Sequence, residues 1–395
     1  MAIGHSSVSA SSQLLSISVL KIASGNILFV GDAKAGAVFA FELGPAPAAS
    51  ESRAYRLRGI DGKIADLLGV APGEVVIRDL AVHPVSKEAY VAVERGHAGQ
   101  AIPVIVRVSQ HGELAPLPLD TLPFTRLVLS QPASADLVLK GGVAARTLSI
   151  TDLAFFDGEL LISGLSSADF SSTLYRARYP FCDQLETSTV EIYHAVHTQN
   201  ETRAPIQTMT VLPLNGQPHV LAVYTCTPLV TMPLSDLKNG AHVTGKTIGE
   251  LGYGNTPLDV LHFQSQGEKG QVQEHVLITH KHRGPMLFSV DSIAASSAKE
   301  GMHEPAGFNI VAPPFMAVPM GGVIRVDDQD AQFLCALRRD PDTGSIDLLS
   351  FRKGVFFQLH DHVSEYILPG YVYSESQGGM KQFQDLLWSD ELGIK

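Results

Sequence analysis

The chain has 395 residues, of which 45% are hydrophobic and 17% charged, and this composition indicates a well-buried globular protein rather than a disordered one. Its 29 basic and 40 acidic residues give a net charge of −11, and no basic run occurs, which argues against nucleic acid as a partner. No stretch approaches the ~20 apolar residues that cross a bilayer, so no membrane span is predicted.

Six groups of apolar, strand-like runs follow one another, starting at about residues 14, 77, 148, 203, 256 and 315. The groups are Leu14–Leu20 with Ile27–Val30 and Ala37–Phe41; Ile77–Val82 with Ala89–Val93 and Pro103–Val108; Leu148–Phe155 with Glu159–Ser163 and Thr173–Arg178; Pro205–Leu212 with His219–Tyr224; Leu258–Phe263 with His275–Thr279; and Met316–Val326 with Gln332–Leu337. Each interval suits a four-stranded unit with its loops. The sequence therefore predicts an all-β fold, a single β-propeller of six or seven four-stranded blades.

Longer stretches between the groups are predicted to be loop insertions over one mouth of the ring: 44–76, 109–147 and 180–202. The first contains a short helical turn at 60–69. Strand-like residues at 355–373 could complete a seventh blade, and residues 379–388 are predicted to form a short amphipathic C-terminal helix. We interpret residues 1–395 as one domain, because a propeller grows by adding units around one core.

Several runs of the chain resemble a group of uncharacterised bacterial propeller proteins with NHL-like or YVTN-like blades. The runs are Asp152 to Arg178, Glu201 to Ile206, Tyr224 to Leu229 and Gly245 to Gly252. The resemblance covers most of the chain, and it implies the propeller fold and commonly an exported location, but no reaction. A periplasmic or secreted protein whose leader was replaced by Met1 would have this polar N-terminus, and so would a cytoplasmic protein.

The three cysteines, Cys182, Cys226 and Cys335, show no C-x-x-C spacing, so neither a disulfide framework nor a thiolate zinc site is predicted. Cys226 and Cys335 lie in strand-like runs, where a thiol is usually a small buried apolar group.

In a propeller, the starts of the inner strands and the ends of the second strands meet on one face around the axis. The residues predicted to gather on this rim are Asp79, Asp152, Glu201, Arg203 and Asp259 from the strand starts, and Asp32, Glu94, His97, Thr225, His280, His282 and Arg338 from the strand ends. A polar rim of this kind is where a substrate or cofactor site is expected.

Two H-x-H pairs occur, His280 with His282 and His360 with His362, and alternation along an extended strand puts both imidazoles of a pair on one side. Paired imidazoles suit copper, zinc or iron. His194 and His197, followed by Glu201, form a third candidate at helical spacing. The opposing interpretation is that some close pairs arise by chance among 15 histidines. The loop with His280 and His282 departs from the histidine-free loop that the resemblance implies, so a metal there would be particular to this protein.

The preferred interpretation is a metal-dependent oxidoreductase that acts on a small molecule at the channel mouth. In it, His280, His282, His360 and His362 hold copper or iron, Arg203 orients an anionic substrate, and Glu201 or Asp259 moves protons. One alternative is a metal-dependent hydrolase or lactonase with calcium among four carboxylates: Asp32, Asp152, Glu201 and Asp259. The other alternative is a non-catalytic propeller that binds a ligand or another protein. The substrate and the oligomeric state are not encoded in any pattern of the chain.

Overall fold

The structure is a computed structural model that describes residues 9–354 and 356, except 24, 98–100, 183 and 268–269. The helices in this part of the chain are α1 (Ala10–Gln13), α2 (Ile60–Leu68) and α3 (Val290–Ser297), with 3-10 turns at Pro72–Glu74, Leu119–Thr121, Ala145–Leu148 and Leu234–Asp236. Among the described residues, no helix has the length and apolar character needed to span a membrane. The predicted pair His360 and His362 and the predicted helix at 379–388 lie outside the described residues.

Strands make up most of the regular structure. In chain order they are β1 (Val19–Ala23), β2 (Ile27–Asp32), β3 (Ala37–Glu42), β4 (Arg56–Leu57), β5 (Val75–Val82), β6 (Ala89–Arg95), β7 (Ile102–Val108), β8 (Leu114–Pro116), β9 (Phe124–Val128), β10 (Asp152–Phe156), β11 (Glu159–Leu165), β12 (Ser172–Arg178) and β13 (Glu186–His194). They continue with β14 (Gln199–Glu201), β15 (Ile206–Leu214), β16 (Gln217–Tyr224), β17 (Pro228–Pro233), β18 (His242–Glu250), β19 (Pro257–Gln266), β20 (Val272–His280), β21 (Met286–Ser289), β22 (Phe315–Ala317), β23 (Val323–Asp328), β24 (Phe333–Arg339) and β25 (Ile346–Arg352).

The described strands form four four-stranded sheets and one nine-stranded sheet. The small sheets have the orders β1-β2-β3-β9, β5-β6-β7-β8, β19-β20-β21-β22 and β23-β24-β25-β4. The large sheet has the order β10-β11-β12-β13-β18-β17-β16-β15, with β14 paired to β13. Its two halves are antiparallel and are joined by parallel pairing of β13 with β18, in which Thr189 lies opposite His242 and Ile192 opposite Gly245.

The sheets have a propeller-like arrangement, as predicted. Their innermost strands contact one another in a ring: β1, β10, β15, β19, β23, β5 and again β1. Because each sheet packs between two neighbours, both of its faces are buried, and β2 and β6 are buried at nearly every position instead of at alternate ones. Apolar side chains fill the space between neighbouring sheets; Phe39 of β3 shares a cluster with Tyr90 of β6, and Phe29 of β2 with Leu160 of β11.

The order of the sheets around the ring differs from the simple succession along the chain that the sequence suggests. The sheet of β1 contacts those of β5 and β10, and the sheet of β5 also contacts that of β23. The chain crosses between sheets because β4 follows β3 but completes the sheet of β23, and β9 follows β8 but completes the sheet of β1. These crossings tie the first third of the chain to its end.

The three predicted insertions supply strands. Residues 44–76 contain β4 and α2, which confirms the helical turn predicted at 60–69. Residues 109–147 contain β8 and β9, and residues 180–202 contain β13 and β14. The prediction of one strand over Met316–Val326 is wrong. The backbone turns at Gly321 and Gly322, so β22 and β23 are separate strands that belong to different sheets.

Candidate functional site

The innermost strands surround a cavity of about 40 Å³ lined by charged side chains, which is room for about one water molecule. Lys21 of β1 lines it together with four carboxylates: Asp79 of β5, Asp152 of β10, Asp259 of β19 and Asp327 of β23. The structure thus brings together three of the carboxylates that the sequence analysis assigns to the rim, including the proposed proton carrier Asp259.

These side chains connect the innermost strands to one another. Five backbone N–H groups donate across neighbouring strands: Leu20 to Asp79 (2.7 Å), Val82 to Asp327 (2.8 Å), Val326 to Asp259 (2.9 Å), Met209 to Asp152 (2.6 Å) and Val260 to the hydroxyl of Thr208 (3.1 Å). The backbone N–H groups at the free edge of an innermost strand have no neighbouring strand to accept their hydrogen bonds. In this ring, side-chain oxygens accept them instead. The axial carboxylates therefore hold the ring together.

The same carboxylates perturb one another's protonation. Burial raises the pKa of Asp259 to about 8 and that of Asp79 to about 6, although Arg325, whose Nε lies 3.0 Å from Asp79 Oδ1, lowers both. Burial alone would lower the pKa of Lys21, but the surrounding aspartates, led by Asp327 and Asp152, raise it. The ammonium of Lys21 thus interacts with all four axial carboxylates, Asp79, Asp152, Asp259 and Asp327, and Arg325 is a second cation beside Asp79.

We expect Asp79 and Asp259 to contribute less to the stability of the protein as pH rises from about 4 to about 8. Raised pKa values mean that folded Asp79 and Asp259 keep protons that unfolded aspartates, with pKa values near ~3.9, have released. Asp259→Asn retains an oxygen for the Val326 N–H and cannot ionise, so its free energy of unfolding should differ less between pH 5 and pH 9 than that of the wild type. Urea unfolding at both pH values measures this difference. The exposed control Asp136→Asn should match the wild type; an unchanged pH dependence in Asp259→Asn would contradict the prediction.

A second polar cluster lies where β13 and β18 end. Because the two strands run parallel, His194 at the end of β13 and Glu250 at the end of β18 lie at the same edge of the sheet. The turn from β16 to β17 reaches the same place and carries Cys226 and Thr227. Cys226 has a positive φ of 87°, a conformation that non-glycine residues seldom adopt.

Glu201 connects two imidazoles in this cluster. Strand β14 folds back on β13, with Glu201 opposite Ile192, so its carboxylate returns to the end of β13. Glu201 Oε2 lies 3.0 Å from Nδ1 of His194, and Oε1 lies 2.5 Å from Nδ1 of His197. The ring centroids of the two histidines are 3.8 Å apart. Since Nδ1 of each ring faces Glu201, Nε2 is the remaining nitrogen of both.

The other side of His194 faces Cys226, Thr227 and Glu250. Its Nε2 lies 3.2 Å from Thr227 Oγ1 and 3.8 Å from Glu250 Oε2, and the thiol of Cys226 lies close enough to raise the pKa of the ring. One ligand atom from each of His194, His197 and Cys226 lies within 4.8 Å of the others. No other group of three or more His, Cys, Asp or Glu ligands meets this distance in the described part of the chain.

Glu250 is buried without any exposed surface. Its carboxylate accepts hydrogen bonds from the backbone N–H of Ala195 (2.8 Å) and Val196 (3.4 Å) and from the hydroxyl of Thr227. Among the described residues, its one ionisable partner is His194. A buried carboxylate with no Lys or Arg partner calls for another positive charge beside it.

Groups on both sides of the His194 ring keep the imidazole in its charged form. Burial would lower its pKa, but the Cys226 thiol and the Glu201 and Glu250 carboxylates raise it to about 9. Burial would likewise raise the pKa of Glu201, but hydrogen bonds from His194, Gln199 and His197 lower it to about 2. The cluster is therefore built around a positive charge, which either a proton or a metal ion can supply.

The remaining predicted site residues do not join this cluster by any contact of the described residues. Arg203 is exposed in the bend after β14. His280 is only 4% exposed, and burial lowers its pKa to about 4, whereas His282 is exposed. Strand β20 ends at His280, so alternation along a strand does not apply to this pair. The four-histidine site remains a prediction, because His360 and His362 lie outside the described residues.

Asp32, predicted for the rim and for the calcium alternative, has a structural role. It accepts hydrogen bonds from the N–H of Leu15 (2.6 Å), the hydroxyl of Ser16 (2.6 Å) and the N–H of Ala35 (2.9 Å). It fixes the segment that leads into β1 and lies apart from the axial cavity, whose lining does not include it.

Sequence reasoning found part of the cluster and missed the rest. It singled out His194, His197 and Glu201 by their spacing, but it assigned Cys226 to a buried strand and did not consider Glu250. Cys226 is instead half-buried in a turn, while Cys335 is buried in β24 as expected. A signal for Cys226 was present, because a thiol between two threonines just before Pro228 fits a turn better than a strand.

Comparisons with known proteins find structural likeness at low sequence identity. No protein-family model and no curated protein matches the chain. The structure of Drosophila semaphorin 1a, extracellular domains 1–2, is 8% identical, covers 85% of this chain and 86% of its own, and has a TM-score of 0.34. The mitotic checkpoint complex structure is 7% identical, covers 89% and 95%, and has a TM-score of 0.31. Likeness of this degree carries no argument about function.

Proposed function

We propose that this protein is a metal-dependent enzyme that acts on a small molecule and holds a transition-metal ion through His194, His197 and Cys226. The observation that carries the proposal is the position of Glu201 between the two imidazoles. A carboxylate bound to Nδ1 fixes the tautomer and orientation of a metal-binding histidine and leaves Nε2 as the ligand atom. Here one carboxylate does this for both histidines.

The types of ligand atom limit which metal ions this site can bind. Two imidazoles and a thiolate suit copper, iron or zinc, whereas calcium takes oxygen ligands. With three protein ligands, such an ion keeps an open position where it can transfer electrons or polarise a substrate. Copper or iron would support the oxidoreductase that the sequence analysis prefers, and zinc would support the hydrolase or lactonase alternative.

The calcium alternative has less support. Asp152 and Asp259 accept backbone hydrogen bonds and share Lys21, and Asp32 holds the segment before β1. Glu201 is bound to two imidazoles. Asp152 and Asp259 therefore lie in one cavity, but Asp32 and Glu201 lie in two other places, so the four carboxylates do not form one calcium site. A site at His280, His282, His360 and His362 remains the other alternative for a transition metal.

A second candidate function is nucleophilic catalysis by Cys226. Its thiol sulfur lies within 4.8 Å of a ring nitrogen of His194, and Glu201 orients that ring through Nδ1. A nucleophile, a base and a group that orients the base form the arrangement of cysteine hydrolases. The positive φ of Cys226 supports this reading too, because strained backbone clusters at functional positions. The two candidates differ in His197, which only the metal site requires.

Cobalt titration tests the proposal. The purified chain, freed of metal with a chelator, should bind a single Co²⁺ and develop a thiolate-to-metal absorption band. Cys226→Ser should lose the band, and His197→Ala should bind Co²⁺ more weakly. Cys182→Ser is the matched control, because Cys182 is exposed and outside the cluster. Elemental analysis of the protein as purified then separates copper or iron from zinc.

Three outcomes separate the candidates. Equal Co²⁺ affinity in the wild type, Cys226→Ser and His197→Ala would sink the metal proposal. Alkylation of Cys226 by iodoacetamide that is fast, insensitive to Co²⁺ and unchanged in His197→Ala would favour the nucleophile. A chain that folds normally, binds no metal and resists alkylation would favour the non-catalytic scaffold.

The proposal includes a finer description of the fold. The ring of six innermost strands and the cross-strand hydrogen bonds support six blades within the described residues. We also propose that the blades are NHL-like or YVTN-like and that the protein is bacterial and exported. These three points rest on the sequence resemblance.

A further inference from the structure

Two aromatic rings are exposed side by side on the loops that follow the proposed metal cluster. Tyr253 and Phe308 are 62% and 68% exposed, and their ring centroids lie 4.7 Å apart. The N–H of Tyr253 donates to the carbonyl of Phe308 (3.2 Å), so the two loops are held together. Paired large aromatics left in water mark binding sites more often than chance exposure does.

A guanidinium packs against the same loop. If Gly252 carried a Cβ, that atom would lie 3.4 Å from Cζ of Arg283 and 2.9 Å from Cγ1 of Ile310. Gly252 also has a φ of +96°, so a side chain there is excluded by conformation as well as by space. This glycine lets the guanidinium of Arg283 pack against the loop at the residue before Tyr253. Arg283 forms no ion pair with the described residues, and Lys281 next to it is exposed.

Buried polar atoms without hydrogen-bond partners among the described residues lie on the loop of Tyr253 and at the end of β20. Asn255, only 1% exposed, has no hydrogen bond to its Oδ1 from the described residues, and His280 has no more than a weak contact with the backbone of Gly284. The N–H of Lys281 donates to the carbonyl of Thr256 (2.9 Å), which joins the loop of Asn255 to the turn of Arg283. Buried polar groups usually have partners, so an orphan oxygen and an orphan imidazole point to a missing polar ligand or water.

We propose that Tyr253, Phe308 and Arg283 form a binding site for a small planar aromatic molecule that carries a carboxylate. The ring of the ligand stacks on Tyr253 and Phe308, and its carboxylate takes paired hydrogen bonds from Arg283. Charge complementarity supports an anion: the chain as a whole has a net charge of −11, while residues 281–283 are Lys-His-Arg. The site does not depend on the proposed metal, since none of its members belongs to the His194 cluster.

Binding of benzoate to chelator-treated protein tests the site without any metal. Saturation-transfer NMR and calorimetry should detect saturable binding of benzoate, and much weaker binding of cyclohexanecarboxylate and benzyl alcohol, which lack the planar ring or the charge. Arg283→Gln should weaken benzoate binding by about tenfold. Phe308→Ser should weaken it by about fivefold.

Matched controls are available at residues outside the proposed site, in β12 and in the loop before it. Arg178→Gln removes another exposed arginine, and Phe170→Ser removes another exposed aromatic residue, 45% exposed and stacked on His242. Both should bind benzoate as the wild type does, and thermal melting checks that each variant is folded. Benzoate binding that survives both site substitutions, or that is no stronger than binding of cyclohexanecarboxylate, overturns the inference while leaving the cobalt result unaffected.

Discussion

Lys21→Met should lower the free energy of unfolding by about 3 kcal/mol at pH 8, because the axial carboxylates lose the cation that they share. Methionine keeps most of the side-chain volume, so the change removes charge with little loss of packing. The loss should be smaller at pH 5, where Asp79 and Asp259, whose pKa values burial raises to about 6 and about 8, hold protons and need less compensation. Chemical denaturation at the two pH values measures both effects.

Lys63→Met provides the comparison for this substitution. Lys63 is an exposed lysine on α2, and methionine is as good a helix former as lysine. Its loss should change stability by less than about 0.5 kcal/mol at either pH. If Lys21→Met were as stable as Lys63→Met at pH 8, the carboxylates of the axial cavity would not depend on the charge of Lys21. The proposal that Lys21 stabilises the ring would then be wrong.

Glu201→Ala should weaken Co²⁺ binding by about 10-fold to 100-fold, because the two imidazoles lose the group that orients them. Glu201→Gln should fall between the alanine variant and the wild type, since its amide can accept a hydrogen bond from only one ring. The position of the Co²⁺ absorption bands reports the ligand geometry and should shift in both variants, which a purely structural effect on stability would not cause.

Glu304→Ala is the control for the loss of a carboxylate, since Glu304 is exposed and lies outside the cluster. Its Co²⁺ affinity should equal that of the wild type. Unchanged Co²⁺ affinity and unchanged absorption bands in Glu201→Ala would mean that the carboxylate does not position the histidines. The contact of Glu201 with both imidazoles would then no longer support the metal proposal.

The strands could be predicted from the sequence because their signal is local. The runs around Ala37–Phe41 and Ala89–Val93 are apolar throughout, as strands between two packed neighbours must be, and the structure has β3 and β6 there. The short outer strands were harder to predict from the sequence. Strand β4 is two residues long and β8 three, so neither shows a period, and both were included in predicted loops.

Only part of the candidate site could be predicted, because the sequence signal is local. His194, His197 and Glu201 lie within eight residues, so their spacing suggested a common site. Glu250 comes from the end of β18 and Cys226 from the turn between β16 and β17, and they reach the cluster because β13 and β18 pair in parallel and end at one edge. No spacing along the chain reports such a pairing.

By itself, the sequence determined the propeller-like class of fold, the positions of most strands and three of the four aspartates of the axial cavity, since strand patterns and charge depend on neighbours in the chain. Only the tertiary structure decided the order of the sheets around the ring, the sharing of Lys21 among four carboxylates and the meeting of His194 with Cys226 and Glu250. These features depend on which distant strands pack together, and that choice is made by the fit of whole apolar faces in space.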